Sequence, residues 1–236
     1  MLEYKKIAIF SQPRTGTKLV ASILKDFGYH VYSEWFAYRS MEIIKDRAVR
    51  RTEFAEGIIS ASERQYKHLL EHKRRYNLYK NLAKREKSVI TIWPDNMAEF
   101  PFMLYEFADY HWVCIRRNPW EQMLSWYISS KNKNFDALMT NKPVTFKETS
   151  FRKTYWDYYR IQGLQDWLVE NRHATLIDFD ELIKGTSSAF GVNYRVASVD
   201  ENMDLESLVK NLSDVKSWYN KFEDQRLGNA VDNNNK

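Results

Sequence analysis

The chain has 236 residues, 44% apolar and 28% charged, and its 36 Lys and Arg exceed 31 Asp and Glu to give a net charge of +5. That composition describes a globular protein with ample core material and excludes collagen-like and low-complexity chains. A single Cys excludes a disulfide framework and a cysteine-based zinc site.

No apolar run reaches the roughly 18 residues of a membrane span, so none is expected. Met1–Phe10 is too short and too charged for a signal peptide, and cytoplasmic residence is the expectation. The positive excess favours an anionic partner only weakly.

In chain order, Lys5–Ser11 (KKIAIFS) reads as a short buried strand and Gln12–Gly16 as a turn. From Thr17, apolar residues fall at Leu19, Val20, Ile23, Leu24 and Phe27, a helical stripe, and Gly28 stands where a left-handed helix end belongs. Residues 41–87 read as charged helix with one or two breaks. Ser88–Trp93 (SVITIW) is a second strand, stopped by Pro94. Glu99–Ala108 fits a short helix. Trp112–Ile115 is a third strand, running into Arg116-Arg117-Asn118-Pro119 and a helix to about Lys131. Asn118 suits its N-cap and Pro119 its first position.

Residues 132–150 read as loop and 151–172 as an aromatic helix. Ala174–Asp178 is a fourth strand, and Phe179–Lys184 opens a turn of helix. The remainder is mostly helical, and the polar tail 229–236 is expected to fray. Short apolar strands alternating with helices predict an α/β fold: a three-layer sandwich on a central, mostly parallel sheet. One domain is expected over residues 1–228.

A strand that ends in a turn and opens a helix is a ready anion site, because free N–H groups and the helix dipole point at the ligand. Pro13-Arg14-Thr15-Gly16-Thr17-Lys18 is such a turn, with a Gly for close approach, two hydroxyls and two cations. The plainer reading is a capped first helix with a surface Arg and Lys. A nucleotide kinase loop does not fit: G-x-x-x-x-G-K-[ST] requires Lys after the second Gly, and Thr17 stands there.

Pro13-Arg14-Thr15-Gly16-Thr17 resembles the P-[KR]-[ST]-G-[ST] loop of sulfotransferases that use 3′-phosphoadenosine 5′-phosphosulfate (PAPS). Their second motif, Arg-Asn-Pro at a strand end with a Ser eight residues after the Arg, is matched by Arg117-Asn118-Pro119 and Ser125. The resemblance implies a P-loop-like sulfotransferase fold and sulfuryl transfer from PAPS to a hydroxyl acceptor, without a metal. It implies that Arg14, Thr15, Gly16, Thr17 and Lys18 hold the 5′ end, with Arg14 also acting in catalysis. Arg117 and Ser125 would hold the 3′-phosphate. Lys18 departs from the family, where many members carry a hydroxyl residue.

Phenol- and steroid-type members place their catalytic His on a strand comparable to Thr91-Ile92-Trp93-Pro94, where this chain has none. Other members use a Glu just after the second strand. Here Tyr29–Tyr32 fits that strand, and Glu34, flanked by Trp35 and Phe36, is the expected base. Asp95 is the reserve candidate. The acceptor stays open among saccharide, lipid, small molecule and protein.

Elsewhere the residues read as structural. His68 and His72 are four apart but sit among Lys67, Lys73, Arg74 and Arg75, which repel a metal ion. Cys114 lies inside an apolar strand. Basic clusters at 45–51 and 73–87 carry interspersed acids and read as solvated helix faces. Two other readings remain, a P-loop-like nucleotide kinase and a noncatalytic nucleic-acid-binding protein, although no nucleic-acid motif is visible and nucleic acid is not expected. Nothing in the sequence sets an oligomeric state.

Overall fold

The computed structural model describes residues 1–12, 15–32, 84–92, 104, 107–132, 142–185, 188–192, 194 and 204–233. Among them, five strands form one all-parallel sheet: β1 (Lys6–Ser11), β2 (His30–Tyr32), β3 (Ser88–Ile92), β4 (His111–Arg116) and β5 (Thr175–Asp178). Their order is β2-β3-β1-β4-β5. β1 is central, with Ile9 opposite Thr91 on one side and Val113 on the other.

A strand buried on both faces reads as a continuous apolar run, which is why Ile7–Phe10 lacks alternation. Its side chains still divide by the pleat. Ile7 and Ile9 face α1 (Thr17–Asp26), packing with Val20, Ile23 and Leu24. Ala8 and Phe10 face the opposite side, with Trp112, Cys114, Ile161 and Leu168. Ile161 and Leu168 belong to the long α3 (Glu148–Arg172), so helices cover both faces as the sequence predicts. α2 (Pro119–Asn132) and α5 (Leu212–Asn233) join α3 in a third cluster through Leu124, Ile128, Phe151, Tyr155 and Phe222.

The expected punctuation is present. Gly28 has φ +83°, and the Tyr29 N–H reaches back to the Leu24 carbonyl at 3.1 Å, a left-handed helix end. Asn118 caps α2, its Oδ1 accepting from the Glu121 N–H at 3.3 Å. Cys114 is fully buried, and burial pushes its thiol up to about 12. It is a core residue.

Several boundaries differ from expectation, among them those of α3, β4 and α5. α3 begins at Glu148 rather than 151; Glu148 pairs with Arg152 one turn on at 2.9 Å, favourable acidic charge in the first turn. β4 extends one residue beyond the expected strand at each end, gaining pairing partners in β1 and β5. α5 runs to Asn233, into the tail expected to fray, because adding a residue to a formed helix costs far less than nucleating one. The expected helices over 41–87 and 99–108 lie mostly or wholly outside the described residues.

Candidate anion-binding site

In open parallel sheets, ligands bind beyond the carboxyl ends of strands where neighbouring connections leave for opposite faces. β1 and β4 are such neighbours. α1 follows β1 on one face, whereas the chain after β4 leads through α2 to α3 on the other. The two sequence motifs stand at these two strand ends.

The turn after β1 is built around Thr15 and Gly16. Thr15 is almost fully buried, and its hydroxyl donates to the Gln12 carbonyl at 2.7 Å and bonds the Ser11 hydroxyl. That hydroxyl therefore shapes the loop from inside, so the turn presents Gly16 and Thr17 rather than Thr15 Oγ1. Gly16 is the N-cap of α1 at φ +85°. Having no side chain, it supplies none of the capping bonds that Ser, Thr or Asp would give the first-turn N–H groups. Lys18 is exposed on the first turn of α1.

A Cβ on Gly16 would stand 2.7 Å from Cδ2 and Cε2 of Phe179, the first residue of α4 (Phe179–Ile183). Asp178 caps α4 by accepting from the N–H of Asp180 at 2.7 Å and of Glu181 at 3.3 Å. The cap turns Phe179 beneath the loop. Gly16→Ala is therefore expected to combine left-handed backbone strain with this clash. Gly28→Ala, at φ +83° with nothing within 4 Å, meets the strain alone. Such strain costs on the order of 1–3 kcal/mol, and Tm moves roughly 2–4 °C per kcal/mol at this size. In thermal unfolding Gly16→Ala should lower Tm clearly more than Gly28→Ala. Equal losses would contradict the close packing of loop on ring.

Arg117 reaches the same ring from the other motif. Its guanidinium carbon lies 4.7 Å from the Phe179 ring centre, and its Nη2 lies 3.0 Å from Glu121 Oε2. With the side chain 16% exposed, it is held but accessible. An i,i+4 pair near the surface contributes about 0.3–0.5 kcal/mol.

The neighbouring Arg116 faces the other way, as the pleat requires. It donates to Asp166 at 2.5 Å and to Gln165 Oε1 at 3.3 Å on α3. Of the two arginines, Arg117 is the one turned toward the loop after β1.

Ser125 is fully buried on α2. Gln122, three residues earlier on the same helical face, donates to Gln12 Oε1 at 2.6 Å. That face is thus turned toward the loop after β1. Arg14, Glu34 and Asp95 lie outside the described residues.

In the sequence Phe179 only opens a turn of helix, and Gln12, Gln122 and Gln165 belong to no motif. Nothing in the sequence around these amides marks them as buried. Gln165 is buried in aromatic α3 and donates to the ends of both strands, Phe10 O at 3.4 Å and Ile115 O at 3.2 Å.

No protein-family model matches the chain, and no curated protein matches it.

Proposed function

We propose that this chain is a PAPS-dependent sulfotransferase acting on a hydroxyl acceptor. The observation that carries the reading is the convergence of Gly16 and Arg117 on the Phe179 ring at the ends of two adjacent central strands. Two separate candidate anion-binding segments thereby meet at one ring, which suits a nucleotide with phosphates at both its 5′ and 3′ positions.

The residues fit the donor. An N-cap glycine at the start of α1 suits close approach of a phosphosulfate. Arg117 keeps its guanidinium over an aromatic ring, 4.7 Å from its centre, and within reach of solvent, where it can fork onto a phosphate. The donor supplies a sulfuryl group on a phosphate leaving group. In this reading Arg14 and the loop N–H groups stabilise the charge growing on that phosphate, and Gly16, Thr17 and Lys18 bind the 5′ end. Glu34 removes the acceptor hydroxyl proton as the new S–O bond forms and the bond to the phosphate breaks. Arg117 orients the nucleotide through its 3′-phosphate, and Ser125, fully buried in the free protein, joins it only when α2 and its cover part locally.

The test is transfer of label from PAPS across a panel of saccharide, lipid, phenolic and peptide acceptors, run with and without EDTA. Turnover should appear on at least one acceptor class and survive the chelator, because side-chain cations perform the charge stabilisation. A nucleotide kinase would instead lose all turnover in EDTA and recover it with Mg²⁺. No transfer to any acceptor, or transfer strictly dependent on Mg²⁺, would contradict the proposal.

A further inference from the structure

Gln12 and Gln122 are buried amides, 6% and 3% exposed, with no part in the reaction proposed above. Gln12 Nε2 donates to the Tyr158 carbonyl at 2.8 Å. A carbonyl only accepts, so this bond fixes the Gln12 amide and leaves its Oε1 as the acceptor for Gln122 Nε2 at 2.6 Å. The loop after β1, helix α2 and helix α3 are thereby tied at one point. Tyr158 adds a second tie, because its hydroxyl donates to the Arg117 carbonyl at 3.2 Å. The residue that anchors Gln12 thus also anchors the main chain of the arginine that follows β4.

We propose that Gln12 and Gln122 are a positioning pair that sets the spacing between the two anion-binding segments. Through it, a ligand carrying two separated phosphates is held at once by the Gly16–Lys18 turn and by Arg117 with Ser125. The inference rests on the bisphosphate-nucleotide reading above. Neither amide touches the ligand; each acts through the segment it holds. A ligand with one phosphate engages one segment and gains nothing from the spacing, whereas a ligand with two gains only when both segments are in place. Buried amides whose hydrogen bonds are satisfied serve this purpose well, since any shift of either segment breaks a bond that water cannot replace.

The test is calorimetric titration of the full chain with adenosine 3′,5′-bisphosphate and, separately, with AMP. Gln122→Met keeps the volume and removes the donor; Gln12→Met removes the acceptor. Each should lower the bisphosphate-over-AMP affinity ratio by about tenfold or more, the usual scale of a small misplacement. The double variant replaces both polar partners with apolar ones, which folding tolerates best. Because Gln122 acts through its contact with Gln12, it should lower the ratio no further than Gln12→Met alone, which also removes the bond to the Tyr158 carbonyl.

Equal losses for both ligands would reduce the amides to fold stabilisers and overturn the proposal, as would additive losses in the double variant. A wild-type protein that binds both nucleotides equally would instead refute the donor reading, and the purpose of the pair with it.

Discussion

Arg117→Ala should erase most of the stabilisation that adenosine 3′,5′-bisphosphate gives beyond AMP. The guanidinium is the charged group at the end of β4 turned toward the loop after β1, since Arg116 is committed to Asp166 and Gln165 on α3. Charge-assisted hydrogen bonds contribute about 1.5–3 kcal/mol, and each 1.4 kcal/mol is a factor of about ten in affinity. Bisphosphate binding should therefore weaken roughly 10- to 100-fold while AMP binding changes little. The guanidinium covers one side of the Phe179 ring, so a small fall in Tm of the free protein is also expected. Comparing ligand-induced shifts against each variant's own baseline removes that effect. An equal loss for AMP would place Arg117 in the fold rather than at the 3′-phosphate.

Glu34→Gln should leave donor binding nearly intact and lower turnover roughly 10²- to 10⁴-fold, the ordinary value of general base catalysis. Binding is spared because the donor's proposed contacts lie in the Gly16–Lys18 turn and at Arg117 and Ser125. A base acts only when ionised, so wild-type activity should rise with pH through the Glu34 pKa, and the variant should lack that acidic limb. The pH–rate profiles of the two proteins make that comparison. Near wild-type turnover in Glu34→Gln, with Asp95→Asn inactive, would transfer the base role to Asp95 and leave the donor site unchanged.

Much of the fold was legible because its signals are local. The buried strands β1, β3 and β4 are apolar runs, and α1 carries a clear stripe ended by Gly28. Asn118 and Pro119 mark the start of α2 by residue type alone. The two motifs were likewise visible, since each is a short stretch at a strand end.

What joins the motifs was not legible. Phe179 lies more than 60 residues beyond Arg117 and 160 beyond Gly16, and only the sheet order brings it beneath both. The Gln12–Gln122 bond spans 110 positions, and neither residue departs from what a surface Gln looks like in sequence. Thr15 shows the converse: its type suggests an outward hydroxyl, but the tight turn after β1 folds that hydroxyl onto the Gln12 carbonyl.

The most direct measurement is a thermal-shift comparison of the unmodified protein with adenosine 3′,5′-bisphosphate, AMP and ATP at equal concentration and without metal. If the Gly16–Lys18 turn and Arg117 each hold a phosphate, the bisphosphate should raise Tm well above either of the others. Equal stabilisation by ATP and the bisphosphate, or stabilisation by neither, would contradict a site built for a nucleotide with a 3′-phosphate.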